Sequence, residues 1–126
     1  LSLTGTLRTL ANLGLPVVEE LALPLRLPDN RTGFLERLRI QAAPKVIASV
    51  VNAPDRLLDA LRALHEKRAT DDALNGLVTS EGLTWRQVEV LRTLRNHLIQ
   101  VRPNYNADTI TGVMLRNSAA AAALLR

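Results

Sequence analysis

Leucine recurs at every third position over residues 4–14 (Leu7, Leu10, Leu13) and at every second position over residues 21–27 (Leu21, Leu23, Leu25, Leu27). The first spacing predicts a short helix that Gly14 can end. The second predicts a half-buried strand. Pro24 falls inside that strand and has no N–H to give to a ladder, so it is expected on a sheet edge. The stretch PDNRTG, residues 28–33, has turn chemistry. It leads into FLERLRIQA, which places Phe34, Glu36, Leu38 and Ile40 on one face and Leu35, Arg37, Arg39 and Gln41 on the other.

From Pro44 onward the apolar period becomes helical. PKVIASVV is a short helix. PDRLLDALRALHEKR is a longer one, with Pro54 in the first turn, Asp55 near the positive end of the dipole and Leu57, Leu58, Leu61 and Leu64 on one side. DDALNGLVTSEG reads as a short helix closed by Gly82. The next start is the best defined in the chain. Thr84 and Gln87 have the spacing of a capping box, Leu83 and Val88 that of a hydrophobic staple, and the helix is expected to reach about Val101, before Pro103. Asn106 caps the following helix, with Tyr105 stapled to Ile110, and Asn117 or Ser118 restarts a last one in NSAAAAALLR. The fold class is α+β, mainly α. A short N-terminal helix and an antiparallel strand pair occupy residues 1–43, and a bundle of short helices occupies residues 44–126.

Composition narrows this reading. The 126 residues suffice for one domain or for a piece of a longer chain, and the missing initiator Met points to an excised segment. Apolar residues make up 47% but aromatics only 2%, so the core must be aliphatic. No cysteine is present, which removes disulfides and thiolate metal sites and fits a cytoplasmic setting. No apolar run approaches the roughly 18 residues that cross a bilayer, and the start lacks the basic-then-apolar order of a signal peptide. The net charge of +4 permits an acidic partner without requiring one.

Candidate chemistry is sparse. The six glycines form no GxG, which argues against a dinucleotide fingerprint or a phosphate-cradling loop. His65 and His97 lack metal-ligand companions at helical spacing. Asp71 and Asp72 read as acids at a helix start, and Ser49, Ser80 and Ser118 have no nucleophile-elbow context. Nothing assembles a nucleophile, a base and an orienting group, so no catalytic, cofactor-binding or metal site is assigned. Trp85, at the first helical position, reads as an anchor for the helix entry, with ligand stacking as the alternative. Arg95 and Arg102 project almost together and Arg92 about 60° away, which gives a one-sided positive strip. Its plainest reading is a solvated face with stems over apolar neighbours. Contact with an acidic surface of another domain or subunit, or with nucleic acid, are the alternatives. Trp85, Arg92, Arg95 and Arg102 are therefore the candidate interface residues.

Two resemblances bear on function. LTWRQVEVLRTL is superficially similar to the opening helix of response-regulator helix-turn-helix domains, which makes a small nucleic-acid-binding module the alternative reading. The candidate recognition helices, NADTITGVMLR and NSAAAAALLR, lack the matching turn, and the alanine run offers nothing to read a base edge. The broader resemblance is to the large bacterial NAD-specific glutamate dehydrogenases. Gly82, Leu83, Thr84, Trp85, Arg86 and Val88, followed by Leu91 and Arg92, resemble that family's glycine-leucine-small-Trp-Arg-acid-Val motif, with Gln87 in place of the acid. LANLGLPVVEE resembles the end of an ACT-like module that precedes the helical region, while residues 44–70 match weakly. The resemblance implies a parent enzyme that oxidatively deaminates glutamate to 2-oxoglutarate with NAD, in which this stretch is a non-catalytic region upstream of the catalytic core. Its implied partners are other domains of the same polypeptide, in a homo-oligomer, with neither membrane nor nucleic acid expected. Lys45 and Lys67 are not flanked by glycine as the family's catalytic lysine is, so no catalytic residue and no cofactor site carry over to this segment.

Overall fold

A computed structural model describes residues 3–125, and Arg126, at the end of the expected last helix, lies outside them. The chain forms α1 (Leu3–Asn12), β1 (Val17–Arg26), β2 (Thr32–Ile40), α2 (Pro44–Asn52), α3 (Pro54–His65), a one-turn 3₁₀ helix (Ala73–Asn75), α4 (Gly76–Ser80), α5 (Trp85–Val101), α6 (Ala107–Arg116) and α7 (Ser118–Ala123). The expected α+β architecture, mainly α with an antiparallel strand pair, is the one observed.

The chain punctuation behaves as its chemistry requires. Gly14 ends α1 at φ +79°, and a Cβ there would sit 3.1 Å from the Thr79 hydroxyl. That hydroxyl donates to the Leu13 carbonyl at 2.7 Å, satisfying an acceptor at the end of α1. Gly82 adopts φ +67° before α5, where a Cβ would collide with the Arg56 guanidinium that donates to its carbonyl. The Thr84–Gln87 capping box is closed in both directions, at 2.9 and 3.2 Å. Leu83 and Val88, the expected staple, are both buried. Asn106 caps α6 by accepting from the Thr109 N–H at 2.8 Å. Asn117 does not cap α7 through its side chain; its amide donates back to the Val113 carbonyl and closes α6 instead.

A single aliphatic core joins Leu10, Leu13 and Leu15 to Leu74, Leu77, Val78, Val88 and Leu91, with Ala121 and Ala122 closing it from α7. On α3 the expected leucine side is corrected in part. Leu58 is 55% exposed while Ala60 and Ala63 are buried, and Leu57, Leu61 and Leu64 pack against the core.

The hairpin departs further from its expected burial. β1 and β2 pair in register from Glu19↔Arg39 to Arg26↔Thr32, with an irregularity between Val17 and Glu19. Val17, Leu38 and Ile40, at its base, pack against the core. Beyond them, the face that presents Leu21, Leu23, Leu25 and Leu35 is 44% to 55% exposed rather than half-buried, since no second layer covers it among the described residues. The Leu27 N–H donates to the Arg31 carbonyl, so alternate pairs from there exchange hydrogen bonds and Pro24 stands at a non-bonded pair. Its missing N–H therefore lies on the free edge of β1, as expected.

Candidate functional site

Helix α5 buries Val88, Leu91, Arg92 and Arg95. These positions follow the i, i+3, i+4, i+7 pattern of a core stripe, so two arginines occupy the phase that leucines hold in an ordinary amphipathic helix. The exposed positive strip is thus corrected. Arg92 and Arg95 turn inward, and only Arg102, at the end of the helix, remains exposed among the three.

What receives them is Asp72. The Arg92 guanidinium forks onto its carboxylate, Nε to Oδ2 at 3.0 Å and Nη2 to Oδ1 at 2.7 Å. Nη2 also donates to Asn75 Oδ1 at 2.8 Å, and Nη1 donates to Glu89. Arg95 Nη1 donates to Asp72 Oδ2 and to the Thr111 hydroxyl, each at 3.1 Å, and so joins α5 to α6. Its Nε and Nη2 are taken up by Asn96. Asp72 Oδ1 accepts from the Leu74 N–H at 3.0 Å as cap of the 3₁₀ turn, and Asn75 donates to the Thr70 carbonyl. Two arginines against Asp72 and Glu89 leave the cluster neutral, which is the condition for tolerating its burial.

Burial alone would raise the Asp72 carboxyl, but the hydrogen bonds and charges of Arg92 and Arg95 outweigh it and hold the group below its ordinary value of 3.8. The neighbouring Asp71 points elsewhere and accepts from Thr9 and Asn12, tying α1 to the same loop. The adjacent acids are thus two anchors aimed at different elements. The sequence signal for this was the helical phase shared by Val88, Leu91, Arg92 and Arg95, which counting arginines by themselves overlooks.

Trp85 is half-buried against the core. Arg86 and Arg68 lie over its ring, at 4.7 and 5.4 Å from the centroid. His65 and His97 are exposed, and among the described residues no group of three His, Cys, Asp or Glu could hold a metal ion. No described helix is long and apolar enough to cross a membrane. The nucleic-acid alternative is not favoured, because two of its three arginines are consumed internally.

What the surface offers instead is apolar. Besides the hairpin leucines, α5 exposes Val90, Leu94, Leu98 and Val101, and Leu98 borders a groove of about 300 Å³ with Tyr105, Thr109, Ile110 and Val113.

Residues 69–126 match the family model "Glutamate dehydrogenase, helical motif 3". This helical part is similar to that family's helical motif. The match begins just before Asp71 and takes in the whole arginine cluster together with α6 and α7. The chain is also similar to the NAD-specific glutamate dehydrogenase of Mycobacterium tuberculosis, at 28% identity over 98% of its own length. Likewise it is 29% identical, over its full length, to the NAD-specific glutamate dehydrogenase of Pseudomonas aeruginosa. It spans 8% of the length of each of these curated relatives. The resemblance to large NAD-specific glutamate dehydrogenases therefore extends across the chain, including the N-terminal helix and hairpin.

Proposed function

We propose that this chain is a non-catalytic structural segment of a large NAD-specific glutamate dehydrogenase, packing between domains or subunits of that enzyme. In this reading residues 1–43 are the end of an ACT-like module and residues 44–126 a helical bundle. The parent, a cytoplasmic homo-oligomer, converts glutamate to 2-oxoglutarate with NAD. The observation that supports the packing role is the uncovered leucine face of the hairpin. An isolated two-stranded ribbon is marginal in water and gains stability when a further layer covers it. The two described strands pair directly and antiparallel, without the parallel strand-to-helix crossover that presents a phosphate-binding turn, which supports placing dinucleotide binding elsewhere. NAD binding and hydride transfer are accordingly assigned to the rest of the parent. Trp85 and Arg102 stay candidate contacts of that assembly, with Arg92 and Arg95 acting behind them as internal struts.

The test places a charge on the leucine face. Leu23→Asp in the longer polypeptide should weaken its assembly, read by light scattering after size-exclusion chromatography, while the melting of the 126-residue chain stays the same. Unchanged assembly and activity of the longer polypeptide would overturn the packing role. NADH formation from glutamate by the purified chain alone would overturn the non-catalytic assignment.

A further inference from the structure

Helix α5 exposes aliphatic residues on the side opposite its buried arginines. Val90, Leu94, Leu98 and Val101 follow one another at spacings of four, four and three, which sets them in one stripe, and they are 42% to 60% exposed. At Leu98 the stripe opens into the groove against α6, whose walls include Tyr105, Ile110 and Val113. A stripe of this kind beside a concave apolar wall is the receiving half of a helix-in-groove contact.

The charges around it are of one sign. Arg86 and Arg102 stand at the two ends of α5, and Arg116 ends α6. All three are exposed, and among the described residues none has a carboxylate within salt-bridge distance. The acids of these helices face away. Glu89 lies five residues from Leu94 and Asp108 five residues from Val113, each about 140° round its helix, and Glu89 is held by Arg92 and the Thr70 N–H. A second copy of the chain is a poor occupant for this reason. Antiparallel two-fold packing centred on Leu94 would bring Arg86 of one copy against Arg102 of the other.

We propose that this face seats an amphipathic helix whose apolar stripe is flanked by Asp and Glu, supplied by the remainder of the longer polypeptide. The source rests on the reading given above, and on the chain spanning 8% of the length of its relatives, which leaves most of such a polypeptide to supply it. The aliphatic stripe provides the buried area, and Arg86, Arg102 and Arg116 select the acidic flanks and set the register.

The experiment uses the longer polypeptide with a photo-crosslinking amino acid in place of Leu98, and separately of Val101, both exposed enough to accept it without disturbing the core. After irradiation and digestion, mass spectrometry should find both positions joined to one segment of the same polypeptide with helical apolar spacing and adjacent acids. In the background of Arg86→Glu with Arg102→Glu the yield should fall severalfold. Crosslinks to the same stripe of a second copy, to phosphatidylglycerol vesicles added as a probe, or to no protein segment would overturn the proposal. Glutamate-dependent NAD reduction by the same preparation separates the two readings. Activity without the crosslink sinks the docking helix and leaves the parent assignment standing, whereas the crosslink without activity does the reverse.

Discussion

The hairpin and the helical body each hold an arginine–carboxylate pair, and the two pairs differ in nearly everything except their chemistry. Arg39 meets Glu19 at 3.1 Å with both side chains more than half exposed, 73% and 63%. Arg92 meets Asp72 at 2.7 Å with the side chains 4% and 27% exposed. Water screens the first pair and replaces either partner at little cost. In the second, Arg92 is closed off from water and Asp72 largely so, and removing one leaves a charge with little solvent to replace its partner. The apolar residues show the same divide: Leu77 is enclosed on all sides, while Leu23 lies on an open face at 47% exposure. Burial, more than residue type, sets what each side chain contributes.

The largest expected effect separates the leucines. Leu77→Ala should destabilise the chain by about 2–5 kcal/mol, the range for emptying a closed site. Leu23→Ala should cost less than about 1 kcal/mol, the scale of surface changes. Urea unfolding of both variants makes the comparison, and equal losses would show that the hairpin face is covered in solution.

Asp72→Asn comes next, at about 2–4 kcal/mol. That is the lower part of the cost of opening a buried pair, because Asp72 is about a quarter exposed. Glu89 still neutralises Arg92, so Arg95 is the stranded charge. Thermal melting that left the variant unchanged would mean that water reaches the cluster.

The same carboxyl predicts a pH dependence. Its folded pKa is depressed, so its contribution is complete above the ordinary value of 3.8 and is lost as pH falls from there through the folded value. Stability measured on descending into that acid range should fall less steeply for Asp72→Asn than for the parent sequence. Parallel curves would sink the linkage.

Smallest is Glu19→Gln, which should change stability by no more than about 0.5 kcal/mol and lose even that at high salt. A larger, salt-resistant loss would place the hairpin pair in a covered environment and erase the contrast.

Much of the fold follows from local chemistry. The Thr84–Gln87 box, the turn at residues 28–30, Gly14 and Gly82 at positive φ, and the Asn106 cap each depend on groups within a few residues of one another. Hydrophobic period told helix from strand for the same reason. The resemblance could also be read directly, because residues 82–88 carry a motif dense enough to be compared residue by residue. What short spacing could not decide was the side of each element that faces inward. On α5, both Val90–Leu94–Leu98 and Val88–Leu91 are apolar stripes, and periodicity alone does not rank them. Asp72 ranks them: twenty residues before Arg92 along the chain, it accepts from both Arg92 and Arg95 and so lets that face be buried with its charges answered. The hairpin shows the reverse case, where leucine alternation formed the strand but no described residue covers its leucine face. Sequence determined the elements because their hydrogen bonds close locally, and tertiary structure decided their faces because burying a charge depends on what lies across the fold.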